Sequence, residues 1–172
     1  MTDATTIRQV CERNVRLLND KPHKGHLTGV TKARIESGVR CVIEEGPWRL
    51  AADMPVKAGG DETAPTPGML GRGALASCYA IGIQLWAARL EIPIDTVEVE
   101  VQTDFDARGE LGIGDVHAGY SEVRRVVSID SPAPESALIE LLGTVDRHSP
   151  YVDVFGRAQP MRRITQLNGK EL

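Results

Sequence analysis

The chain has 172 residues, 41% hydrophobic and 26% charged, enough for one globular domain of ordinary size. A net charge of -4 with no block of like charges argues against nucleic acid, which demands a basic face. The opening residues are polar and charged, which predicts no secretory signal, and the longest uncharged stretch, between Arg72 and Arg89, is too short to suit a bilayer.

Residues 3–19 read as an amphipathic helix. Ile7, Val10, Cys11, Val15 and Leu18 recur at the three-and-four spacing of one apolar stripe, and Asp3 or Thr5 can cap it. Pro22, Gly25 and Gly29 then break the chain. Val39, Cys41 and Ile43 alternate with Arg40, Val42 and Glu44, the two-residue period of a strand, and point inward. Turns at 36–38 and 45–47 make this a two- or three-stranded meander. A Gly- and Pro-rich loop covers 57–68.

The strongest helical signal runs from Pro67 to Leu90, with Thr66 as cap and Pro67 in the first turn. Residues 73–88 are apolar almost all round, which predicts burial on most sides. Strands follow at 95–105 and 120–130 across a Gly-rich connection. Pro134 opens a helix whose face carries Leu138, Leu141, Leu142 and Val145. A short turn or helix at 150–158 leads to a last strand at 161–167. Runs of strands with helices between them define an α+β class with antiparallel pairing. Residues 1–29 form an N-terminal helix and linker, and 30–172 the main domain.

Three cysteines, an odd number with no C-x-x-C pair, point to free thiols in a reducing cytoplasm and against a zinc site. Cys11 on a helix stripe and Cys41 on a strand read as packing residues. Cys78 lies on the apolar helix with Gly82 and Leu85 on its face. A reactive Cys78 needs a cation and access, and no cation is close in sequence.

Other patterns carry less. Gly71-Arg-Gly73-Ala-Leu-Ala76 fits a dinucleotide fingerprint, but a loop rather than an apolar strand precedes it. His23 and His26 sit in a loop without a carboxylate or thiol beside them, so metal binding is not indicated. His148 reads as a surface residue at a helix end.

The run AGGDETAPTPGMLGRGALASCYA (58–80) resembles the pattern of the OsmC / organic hydroperoxide resistance (Ohr) family, in which a cysteine follows a helix-opening proline by eleven residues, as Cys78 follows Pro67. The stretch DRHSPYVDVFGRA (146–158) is similar to that family's second signature, and the order of elements agrees over about residues 30–167. The resemblance implies an OsmC-like fold: an antiparallel sheet with a long buried central helix, in an intertwined homodimer whose sites lie at the subunit interface.

It also implies a chemistry. A cysteine thiolate attacks a peroxide, becomes a sulfenic acid, and is resolved by a second cysteine and an external thiol. Cys78 matches the first cysteine. Ser149 stands where the second belongs, and Gly68 where the family has a Glu. Lys57, Arg34 and Arg49 are the possible cations, Lys57 lying nearest the usual place. The expected activity is thiol-dependent reduction of organic hydroperoxides through Cys78. It needs no cofactor or metal, takes an external thiol reductant, and involves neither nucleic acid nor a membrane. The alternative is a non-catalytic protein that binds a small apolar ligand at the dimer interface.

Overall fold

The computed structural model describes residues 3–171. Helix α1, Ala4–Asp20, starts where Asp3 accepts a hydrogen bond from the Thr6 amide at 2.8 Å. Its half-buried Ile7 and Cys11 turn toward the central helix, and an ion pair joins Arg8 to Glu91 at that helix's end.

Strands β1 (Lys32–Ser37), β2 (Arg40–Glu45) and β3 (Trp48–Ala52) form the expected meander, antiparallel and in consecutive order. The facing residues Ala33 and Ile43, Ile35 and Cys41, and Ile43 and Leu50 put the apolar side chains on one side. Within the chain that side is not a buried core. Trp48 is 74% exposed, Ile35 60% and Leu50 58%, while Cys41 and Ile43 are half-buried. The predicted inward face is therefore the open one. The most buried residue of β2 is Val42, on the opposite side. Arg40, on the same side as Val42, donates to Thr63 Oγ1 at 2.7 Å, so the loop after β3 folds back toward that face.

That loop is pinned by a buried carboxylate. Asp53 accepts from the amides of Met54 and Thr63 and from the Thr63 hydroxyl, at 2.8, 3.0 and 2.7 Å. Gly60 is required by close approach: a Cβ there would collide with the Met54 carbonyl oxygen.

Helix α2, Pro67–Leu90, has the predicted bounds, with Thr66 Oγ1 accepting from the Met69 amide at 3.2 Å. It buries Leu75, Tyr79, Ile83, Ala87 and Ala88, one face rather than most sides. Met69 and Ile81 stay more than half exposed. Strands β4 (Thr96–Asp104) and β5 (Glu122–Asp130) pair antiparallel over their whole length. Val97, Val99, Val127 and Ile129 pack on the core of α2. The connection between them contains one helical turn, α3 (Ala107–Glu110), capped by Asp106.

Helix α4, Glu135–His148, seals the core with Leu141 and Val145, both fully buried. Ser149 separates it from α5, Pro150–Gly156. The predicted strand at 161–167 is a much smaller feature. Residues 157–165 have no regular structure, and β6 (Gln166–Leu167) pairs with β7 (Lys170–Glu171) across Asn168-Gly169. Both turn residues have positive φ, 51° and 79°, the geometry that an Asn-Gly hairpin turn requires.

Candidate functional site

Two helices meet at Cys78. It lies midway along α2, and Ser149 lies at the joint of α4 and α5. The Cys78 Sγ is 3.9 Å from the Ser149 Oγ, although 71 residues separate them. Ser149 is buried, and its oxygen also accepts from the Val152 amide at 3.4 Å, capping α5 with Pro150 in the first turn. The close approach of α4 depends on Gly82, where a Cβ would meet Val145 Cγ1 at 3.3 Å.

Beside the sulfur is a cavity of about 330 Å³, walled chiefly by Ile81, Leu85, Trp86, His148 and Pro150. His148 is exposed and stacks on Trp86 with ring centroids 4.9 Å apart, and the Arg89 guanidinium lies 4.0 Å from the same indole. Cys78 is half-buried, so a small molecule reaches it from solvent. No Lys or Arg lines the cavity among the described residues.

Behind Cys78, the next residue belongs to a separate network. The Tyr79 hydroxyl donates to Asp146 at 2.9 Å, and Arg125 bonds the same carboxylate oxygen at 2.9 Å while its guanidinium lies over the tyrosine ring at 4.4 Å. Burial, with the Asp146 carboxylate second, pushes the Tyr79 phenol up to about 12. Arg125 faces the core because it shares the inward side of β5 with Val127 and Ile129. Sequence reading did not identify this triad, whose members come from three elements.

Of the other predicted site residues, Lys57 lies on a short 3-10 turn, Val56–Ala58, exposed and outside the Cys78 cavity. Arg34 and Arg49 lie on the outer meander, Arg49 pairing with Glu36 and Glu44. Arg72, which the sequence reading passed over, lines a different cavity of about 470 Å³ at the start of α2, with Glu110, Phe105 and Tyr120. Its Nη1 lies 3.4 Å from where a Cβ at Gly68 would stand. The Gly71–Ala76 fingerprint is interior to α2, with a loop before it, and so is not a nucleotide-binding turn. Among the described residues no group of His, Cys, Asp and Glu could hold a metal, and no helix is long and apolar enough to cross a membrane.

The architecture is thus that of a small α+β protein presenting a thiol from a long central helix to the joint of two others. The OsmC-like protein family model matches residues 59–162, more than half of the sequence, and the chain belongs to that family. Solved structures agree in fold. An OsmC-like protein from Mycoplasma pneumoniae superposes with a TM-score of 0.65 at 17% identity, over 76% of this chain and 88% of its own. An organic hydroperoxide resistance protein OsmC from Legionella pneumophila gives 0.57 at 19% identity, over 75% and 89%. An OsmC-like hydroperoxide resistance protein from Jannaschia gives 0.52 at 18%, over 83% and 93%. No curated protein sequence matches the chain.

Proposed function

We propose that this protein reduces organic hydroperoxides with Cys78, using an external thiol. The observation that carries the reading is the Cys78 sulfur in an open apolar cavity, 3.9 Å from the Ser149 hydroxyl. The Cys78 thiolate attacks the terminal peroxide oxygen. An S–O bond forms, the O–O bond breaks, and the organic alkoxide leaves as the alcohol after taking a proton. Cys78 is then a sulfenic acid. Ser149 has no sulfur to resolve it, so an external thiol displaces water to give a mixed disulfide. A second thiol frees Cys78.

The working unit is a homodimer. A compact monomer of 18.7 kDa exposes about 8,300 Å², whereas this chain exposes 13054 Å². The excess, about 4,800 Å² on one chain, is surface for a partner to cover. The uncovered face of Ile35, Trp48 and Leu50 is where a second copy fits. No Lys or Arg lines the Cys78 cavity among the described residues, and a second copy is a source of the cation that a thiolate needs. A reducing cytoplasm suits the free thiols.

One observation favours a second reading. Among the described residues the cavity has no Lys or Arg to hold a thiolate, so Cys78 would merely line a pocket for a small apolar ligand. Turnover of cumene hydroperoxide with a dithiol, measured beside Cys78→Ser, separates the two. Turnover that vanishes in the variant supports the peroxidase. No turnover in either protein favours ligand binding alone.

A further inference from the structure

Where α4 gives way to α5, Ser149 is buried and His148, one residue before it, is exposed. Both line the cavity beside Cys78. Among the described residues of its wall, His148 is the one ionisable side chain besides Cys78 itself. Its ring is placed by the stack on Trp86, with centroids 4.9 Å apart. Trp86 stands two turns beyond Cys78, ~12 Å along α2. The imidazole therefore occupies the wall away from the sulfur, whereas the Ser149 hydroxyl lies beside it at 3.9 Å. Stacking engages the face of the imidazole and leaves the nitrogens at its edge able to donate. The Arg89 guanidinium, 4.0 Å from the same indole, is too weak an acid to give up a proton.

We infer that His148 is the acid that protonates the departing alkoxide. This role rests on the peroxidase reading of Cys78 and deepens it by naming the source of the proton. Displacement at a peroxide runs in line: sulfur approaches one oxygen, and the other leaves on the far side, away from Cys78. An acid that serves the leaving oxygen therefore belongs across the cavity from the thiol, not against it. The Cys78 thiolate forms the S–O bond with the terminal oxygen. The O–O bond breaks with its electron pair on the alkoxide oxygen, and the imidazolium of His148 passes that oxygen a proton. The alcohol departs, and the exposed His148 takes a proton back from solvent. An alkoxide is a far stronger base than imidazole, so the transfer is strongly downhill.

The test compares two oxidants that differ in their need for that proton. tert-Butyl hydroperoxide expels an alkoxide, whereas peracetic acid expels a carboxylate that is stable without one. The full chain and its His148→Gln variant are mixed with each oxidant in mildly acidic buffer and quenched with N-ethylmaleimide. Peptide mass spectrometry then times the loss of alkylatable Cys78. His148→Gln should slow the reaction with tert-butyl hydroperoxide about 100-fold and that with peracetic acid less than about twofold, since a positioned acid acts only where a proton is needed. The side chain is exposed, so the variant keeps the fold, which circular dichroism checks. A role confined to the stack on Trp86 would move both oxidants alike. Equal slowing with the two oxidants, or none with either, would overturn the role of His148 and leave the peroxidase standing. A parent Cys78 that tert-butyl hydroperoxide does not consume would sink the peroxidase, and the acid with it.

Discussion

Gly82 of α2 lies so close to Val145 of α4 that a methyl group in its place would meet the valine Cγ1 at 3.3 Å. Both residues also line the cavity beside Cys78. The spacing of the two helices, and with it the distance from Cys78 to Ser149, is set at this contact. Gly82→Leu should force α4 outward and lower the unfolding free energy by about 1–3 kcal/mol, the usual cost of overpacking. Urea denaturation measures this. An unchanged midpoint would show that the helices separate freely.

Asp53 anchors the loop that leads into α2. Its carboxylate sits below the ordinary 3.8, chiefly because the Thr63 amide and hydroxyl donate to it. A depressed folded value gives stability that is present above the ordinary value and lost as pH falls through the depressed one. Asp53→Asn should therefore melt at a lower temperature than the parent at neutral pH, with the gap closing below about pH 4. A gap that stays constant down to strong acid would show that the charge is not what matters.

Tyr79 behaves in the opposite sense. Its phenol is raised to about 12, so the buried neutral form contributes stability below the ordinary 10.0 that is lost as pH climbs through 12. An ultraviolet titration should find one of the three tyrosines ionising late, and Tyr79→Phe should remove that step. The same variant loses the bond to Asp146, at a cost of about 1 kcal/mol.

Ser149→Cys restores a second sulfur beside Cys78. Under excess hydroperoxide without thiol, the parent Cys78 is expected to climb to the sulfinic acid. The variant should stop instead at a disulfide between Cys78 and the introduced thiol, visible as an intact mass lighter by two hydrogens. Sulfinic acid in both proteins would mean that the two positions cannot approach to bonding distance.

Leu50→Glu places a charge in the middle of the open apolar face of the meander. Sedimentation velocity should show a dimer for the parent and a shift toward monomer for the variant. A monomeric parent would leave the exposed face of Trp48, Ile35 and Leu50 without an occupant.

Much of this was legible in the residues. The bounds of α2 followed from Thr66, Pro67 and the apolar run, while α1 had two candidate caps, of which Asp3 is the one used. Alternation showed that β2 has two different sides, but not which of them the chain itself would cover. That depends on a loop held by Asp53, ten residues and more downstream. The proximity of Cys78 and Ser149 came from family spacing, since no local pattern links positions 71 residues apart. The Tyr79, Asp146 and Arg125 cluster had no sequence signal at all. At the C-terminus, the strand expected over 161–167 is reduced to Gln166–Leu167, because Asn168-Gly169 turns the chain into a short hairpin just beyond it.

The double duty of Ser149 has a consequence for charge. One lone pair of its oxygen is committed to the Val152 amide, which leaves the hydroxyl hydrogen free to turn toward sulfur. Where a second cysteine would offer Cys78 an electron pair, this chain offers it a proton donor. The residue can donate a hydrogen bond to a negative sulfur but cannot form a disulfide with it.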